Sequence, residues 1–503
     1  MRGLKFLIFS IPGLLIPAIM HLTPSSGMAV TTGLLLGLAP HSLFAQLNVT
    51  QKEDVGLTAL QLELGASMPT GAGISVTQVE ASLSGNYRPN TGAFPSKTFT
   101  FPSGGSTGAS SHATTVGQFL WGTNSAAPDA GSTASGAIIT GYEANDWLNA
   151  GFLRSASSSL LPGVETSQVQ NHSWVYDSSD LLLEGASLAQ TLRRADYAIT
   201  RDDYVMVSAL NNNNAGAVPE LMSTAYNGIT VGLSNGAHSY GTTDIDGPGR
   251  SRPDIVVPVN ATSWATATVS GAAAMLLDSA ADSGFTNASH HETVKALLLT
   301  GATKEESEFT HTWSHTTTTP LDTVYGAGEL NVQNSHHILA AGEQNASGDT
   351  LLGLNGWDFG TASSSTDQTY FFEIPEGFTA TLTATLTWDR IVTANDIQPG
   401  SGVSYSFGSV LADMNLHLFS ASGFAVDTTL DESLSDIDNL EHLYTQGLGS
   451  GTYAIAVSSD STGTGQNYGL AWTTQLTPVP EPATALLAGL ACIPLASLRR
   501  RRA

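Results

Sequence analysis

Of the 503 residues only one, Cys492, is a cysteine. That excludes a disulfide framework and any site built from several thiolates. Basic residues are also few: 18 Lys and Arg stand against 43 Asp and Glu. Residues 1–45 hold two bases and no acid, and 479–503 hold four arginines and one glutamate, leaving 42 acids against 12 bases between them. Binding to a phosphate backbone draws on Lys and Arg, so nucleic acid is excluded as a partner and an anionic membrane surface is disfavoured. Charged residues are sparse altogether, at 12%. With 41% hydrophobic residues the chain still has the material for large cores, which excludes wholesale disorder. Abundant Gly, Ser and Thr suit an extracellular, strand-rich protein.

The ends read as addresses. Arg2 and Lys5 open the chain, an apolar run from Met28 to Ala39 follows, and Leu43-Phe44-Ala45 precedes Gln46. A basic start, an apolar middle and a small residue at the break form a secretory signal over 1–45; a retained anchor is the alternative. At the other end, Val479-Pro480-Glu481-Pro482 leads into sixteen uncharged residues, Ala483 to Leu498, and then Arg499 to Arg502. About 20 apolar residues span a bilayer, and snorkelling arginines extend a shorter run. The arginine block should stay cytoplasmic. This tail resembles the PEP-CTERM sorting signal of Gram-negative bacteria. The resemblance implies an exosortase-type processing enzyme as partner, transient anchoring in the inner membrane, and release to the cell surface or extracellular matrix.

Between the ends the texture changes once. From Gly73 to Ala341, β-branched runs at 74–79, 136–142, 204–209 and 228–232 alternate with helical patterns at 182–199, 269–282 and 292–299. Strands alternating with helices predict an α/β unit over 46–345, a mainly parallel sheet with helices on both faces. After Gly348 short strands at 370–374, 380–388, 415–420 and 452–457 are separated by Gly, Ser and Asp, which predicts an all-β sandwich over 350–478.

Three segments of the α/β unit each carry one reactive group. In Ala261-Thr262-Ser263-Trp264-Ala265, Ser263 precedes an Ala-rich helix, whose free N–H groups would stabilise negative charge beside the serine oxygen. In Ser111-His112-Ala113-Thr114-Thr115-Val116-Gly117, a neutral imidazole could take the serine proton and return it to a leaving amine. The strand Ile74 to Val79 ends in Glu80, an acid placed to orient an imidazole. Taken singly, these residues also read as a helix cap, a surface histidine and a solvated strand end.

Together and in this order, the segments resemble the subtilisin-like serine proteases. The histidine and serine segments resemble that family's motifs, and His112 follows Glu80 by 32 residues, a spacing like the family's. Pro253-Asp254-Ile255-Val256 and Tyr325 to Val332 look like further stretches of the domain. The resemblance implies an acyl-enzyme mechanism on a polypeptide substrate with Glu80, His112 and Ser263 as triad and no cofactor. It also implies Asn211 as oxyanion donor, its register open by a residue or so because Asn212, Asn213 and Asn214 follow. Ser173, within Asn171-His172-Ser173-Trp174-Val175, would lie on the strand that pairs with substrate.

The sequence departs from the family in four ways. Glu80 stands for aspartate, Ala113 and Ala261 stand for glycines, Ala267 stands for a proline, and the stretch from Gln46 to Gly73 is too short for the usual folding pro-segment. These departures keep a second reading open, a surface or matrix protein on an inactive scaffold. An esterase is a third, but it should show a Gly-x-Ser-x-Gly elbow that Ser263 lacks. No metal site is expected: His290-His291-Glu292 and His336-His337 read as helix-start polar residues. Structural Ca²⁺ could sit on acidic loops such as Asp431 to Asp438.

Overall fold

The computed structural model describes residues 45–480 apart from 106, 177–184, 214–216, 398–401 and 461–464. The two terminal signals therefore lie almost wholly outside the described residues, as does the start of the helix expected at 182–199. Among the described residues, no helix is long and apolar enough to cross a membrane.

Two short helices, α1 (Val49–Asp54) and α2 (Leu57–Leu64), lead into β1 (Val76–Glu80). The α/β unit continues with β2 (Phe99–Thr100), α3 (Ser111–Leu120), β3 (Ile139–Glu143), the single turn α4 (Ala144–Asp146), β4 (Val169–His172), α5 (Gly185–Asp202), β5 (Val205–Ala209) and β6 (Ile229–Leu233). A hairpin of β7 (Gly241–Thr243) and β8 (Arg250–Arg252) precedes β9 (Ile255–Val257), α6 (Thr262–Ser283), α7 (His291–Gly301) and α8 (Val332–Ala340). Seven strands form one parallel sheet in the order β2-β3-β1-β4-β5-β6-β9.

Alternation along each strand feeds two cores. Val205 and Val207 point to the side of α6 and α3, whereas Tyr204 and Met206 point to α5 with Leu192, Ala195 and Ile199. Both faces are covered, so the strands are apolar almost throughout, as parallel sheets require. Helix α6 is buried from Thr262 to Ala280. Its small residues permit this: a Cβ on Gly271 would lie 2.9 Å from the Leu120 carbonyl oxygen, so α3 and α6 cross with almost no space between their backbones.

The expected helix at 269–282 begins seven residues earlier, at Thr262. Thr262, Thr266, Thr268 and Val269 have weak intrinsic helix preference. Burial on all sides outweighs it.

Among the described residues, the second region holds strands and no helix. One sheet runs β10 (Leu351–Leu352), β12 (Gln368–Ile374), β19 (Gly451–Ser459), β16 (Met414–Ser422), β17 (Ala425–Ser433); the other runs β11 (Asn355–Ala362), β20 (Gln466–Pro478), β13 (Phe378–Trp388), β18 (Leu440–Leu448). They share one apolar core, Phe372, Leu418 and Ile455 meeting Leu382, Leu386 and Trp472. This matches the α/β unit followed by an all-β unit that the sequence predicts.

The two regions are fused. Every residue of α7 is buried, because the helix lies between the parallel sheet and the β11-β20-β13-β18 sheet. A Cβ on Gly469 of β20 would come within 2.6 Å of the Thr293 nitrogen. The Thr387 hydroxyl donates to the Glu292 carbonyl at 2.7 Å, and Trp357, Leu440 and Ala471 belong to the core of the α/β unit. A hairpin, β14 (Ile391–Asp396) and β15 (Tyr405–Val410), grips α5, with the Gln190 side chain pairing with the Phe407 backbone in both directions.

Candidate active site

The chain runs from β1 out to β2 and back to β3 on one side of β1, then crosses to β4 on its other side. Such a switch point opens a crevice at the carboxyl ends of the strands, where α/β sheets place their sites. Glu80 is the last residue of β1, and Ser173 directly follows β4.

Helix α3 is capped by Ser110, whose hydroxyl accepts from the Ala113 N–H at 3.2 Å. The cap sets His112 in the first turn, over the crevice. His112 Nδ1 lies 2.7 Å from Glu80 Oε2, and His112 Nε2 lies 3.0 Å from Ser263 Oγ. A carboxylate can only accept, so Nδ1 carries the proton and Nε2 is free to accept from the serine hydroxyl. The three residues named from the sequence thus converge through two hydrogen bonds. Glu80 is 1% exposed and Ser263 9%, while the imidazole keeps a narrow opening at 10%.

Sequence reasoning missed Gln78. Its Nε2 donates to Glu80 Oε1 at 2.7 Å and to the Ala113 carbonyl at 2.9 Å, tying the carboxylate to the histidine helix. The signal was available, since residues two apart on a strand share a face. Trp264 was missed too. It lies 5.2 Å from the His112 ring, stacks on Phe119 at 5.7 Å, and covers the site from the helix side.

The start of α6 is held from outside the helix. Ala261 precedes it and offers no capping oxygen, and the Thr262 N–H instead donates to Asn212 Oδ1 at 2.9 Å. The Asn212 amide is thereby fixed one residue from Ser263, and its Nδ2 makes no hydrogen bond among the described residues. Asn211 differs: its N–H donates to Ser239 Oγ, and its side-chain oxygen is buried without a hydrogen-bond partner among the described residues.

Ser173 stands against the nucleophile, but its hydroxyl points inward. It donates to the Ser263 carbonyl at 2.9 Å and accepts from Asn171 Nδ2 at 3.0 Å, which Ser270 in turn supports. Its side chain braces α6, and its carbonyl oxygen is 3.4 Å from Ser263 Oγ.

Of the acidic loop, Asp431 accepts from Thr445, and Asp438 from Ser435 at 2.8 Å. Neither falls within a group of converging ligand atoms among the described residues.

No protein-family model matches the sequence, and no curated protein does. Among solved structures, the chain is similar to the patellamide maturation protease PatA, at 18% identity and TM-score 0.35 over 54% of this chain and 97% of that one. It is also similar to the prenylagaramide maturation protease PagA, at 17% and 0.35 over 56% and 97%, and to the MycP3 protease of the type VII (ESX-3) secretion system, at 17% and 0.35 over 59% and 89%. Likenesses of this size say nothing of this chain's activity.

Proposed function

We propose that the chain is an exported, subtilisin-like serine endopeptidase using Glu80, His112 and Ser263. The observation that carries this reading is the unbroken hydrogen-bonded series from Glu80 through both nitrogens of His112 to Ser263 Oγ. Ser263 Oγ attacks the scissile carbonyl while Nε2 takes its proton, and the imidazolium then delivers that proton to the leaving amine. Water opens the acyl-enzyme by the reverse sequence, with no cofactor. The Ser263 N–H, in the first turn of α6, and the Asn212 amide are the proposed oxyanion donors. The bond from Thr262 to Asn212 favours Asn212 over Asn211, one residue along from the sequence expectation. Losing such a donor typically raises the barrier by about 3 kcal/mol.

The longer Glu80 fits because Gln78 holds it, which weighs against an inactive scaffold. Export and removal of the C-terminal tail by an exosortase-type enzyme complete the proposal and rest on the terminal sequences alone.

A fluorophosphonate probe tests it. The folded wild-type chain should label at neutral pH on Ser263, Ser263→Ala should not label, and Asn212→Ala should label more slowly than Asn211→Ala. A folded wild-type chain that takes no label sinks the protease reading.

A further inference from the structure

Where α7 meets the second region, two histidines and three carboxylates gather far from Ser263. The sequence reads His290 and His291 as helix-start polar residues. His290 instead lies outside α7 in extended backbone (φ −64°, ψ 134°), and both rings turn to one carboxylate. His290 Nδ1 is 2.7 Å from Asp203 Oδ2, and His291 Nδ1 is 2.8 Å from Asp203 Oδ1. The other nitrogen of His291 meets Asp389 Oδ1 at 2.9 Å, just beyond β13. Both His291 nitrogens face carboxylates, so both carry protons and neither is free to bind a cation.

Glu292 is the exception in an otherwise paired group. It is 8% exposed, yet its Oε2 has no hydrogen-bond partner among the described residues. The nearest candidate, His291 Nδ1, is 3.3 Å away with its one proton already given to Asp203. The His291 cation lies beside this oxygen, but no N–H or O–H donor is aimed at it, and a buried carboxylate oxygen without a donor costs free energy. Glu292 lines a cavity of about 460 Å³ together with Asp203, His290, Asp389 and Phe359. One ligand atom each from Asp203, His290 and Glu292 falls within 4.8 Å of the others. Asp203 and His290 are 38% and 33% exposed at their side chains, so the cluster opens to solvent on that side.

We propose that Asp203, His290 and Glu292 form a binding site for a divalent first-row transition metal, Zn²⁺ in the first instance. One imidazole and two carboxylates are a donor set for such a cation, with Zn–N and Zn–O bonds of about 2.0–2.2 Å and water in the remaining position. The cation takes the place of the proton between His290 and Asp203, which is released to solvent. His291 is a positioning residue: it holds Asp203 from one side and Asp389 from the other, and Phe359 stacks on the His290 ring at 3.9 Å. Metal binding would thus tie the start of α7 to Asp203 at the end of α5, beside the second region. The site owes nothing to the protease reading and stands or falls separately.

The test uses the full chain carrying Ser263→Ala, so that self-cleavage plays no part. After chelation and removal of the chelator, ZnCl₂ is titrated by calorimetry while Tm is followed. The expected result is one Zn²⁺ per chain, proton release, and a higher Tm. Glu292→Gln and His290→Gln, each checked for folding by circular dichroism, should weaken binding by more than the roughly 10- to 100-fold that loss of a supporting partner such as Asp389 brings. His337→Gln, at the surface pair with Glu63, should leave it unchanged. Should a variant fail to fold, the absorption spectrum of the Co²⁺-loaded parent must show nitrogen and oxygen ligands at a four-coordinate site. No saturable Zn²⁺ uptake by the folded parent, uptake unaltered in Glu292→Gln, or preference for Ca²⁺ over Zn²⁺ would each overturn the proposal.

Discussion

Shortening Glu80 by one carbon, to the aspartate that subtilisin-like proteases use, should impair this protein. The Glu80→Asp side chain is shorter by one bond of roughly 1.5 Å. With β1 and α3 held in place, the 2.7 Å contact to His112 Nδ1 opens to about 4 Å, beyond hydrogen-bond reach. The 2.7 Å bond from Gln78 Nε2 is lost with it. A hydrogen bond to a charged group contributes about 1.5–3 kcal/mol, so the rate of Ser263 labelling should fall about 10- to 150-fold. Glu80→Gln keeps the length and loses the charge, allowing the imidazole its wrong tautomer; the corresponding change in the best-studied serine protease triad costs about 10⁴. Gln78→Ala leaves the pair intact but untethered and should cost the least of the three. The assay is the pseudo-first-order labelling rate across pH 6 to 9, on samples matched by circular dichroism. An active wild type with Glu80→Asp labelling as fast or faster would refute the idea that β1 and Gln78 fix the acid at glutamate length.

Three further outcomes follow from buried groups. His172 accepts from the Trp174 indole through Nδ1 and donates to Gln170 through Nε2, and burial pushes its pKa down to about 3. The unfolded chain therefore binds its proton first, and stability should fall by up to about 1.4 kcal/mol per pH unit below 6.5. Urea unfolding at pH 7 and 5 checks this: His172→Gln should flatten the slope, and an unchanged slope contradicts the assignment. Arg390 is buried against Asp196 and Asp246, so Arg390→Ala should cost about 3–5 kcal/mol in urea unfolding, with Arg390→Lys a poor rescue. Gly271→Val should cost about 1–3 kcal/mol, seen as a lower Tm, because the added carbons meet the Leu120 carbonyl; an unchanged Tm would show that the two helices can separate freely.

The α/β order, most strand positions and the three converging residues were legible because each rests on a local pattern: runs of β-branched residues, a strand ending in Glu80, a helix opening on His112. The asparagine proposed as oxyanion donor was legible only to within a residue or so. Four in succession look alike in sequence, and only the Thr262 N–H, fifty residues away, distinguishes Asn212 from Asn211. The environment of His290 and His291 was illegible for the same reason. Asp203 and Asp389 lie 87 and 98 residues from their histidine partners, and no periodicity links them. Helix α6 started late in the sequence reading because propensity is local, whereas its burial comes from strands scattered between β4 and β6.

Helix α7 is walled by two sheets at once, and this bears on how the molecule can be divided. Its eleven residues are all buried only while both sheets are present. A chain cut after residue 345 would expose Thr293, Ala296 and Thr300 and their neighbours, and would forfeit the hydroxyl bonds of Thr300 to Thr385 and of Thr387 to Glu292. The β region is then less a passenger than the missing wall of the first unit. Insertions, fusions or losses at this junction would be tolerated only in pairs, and heating should melt both regions in one transition.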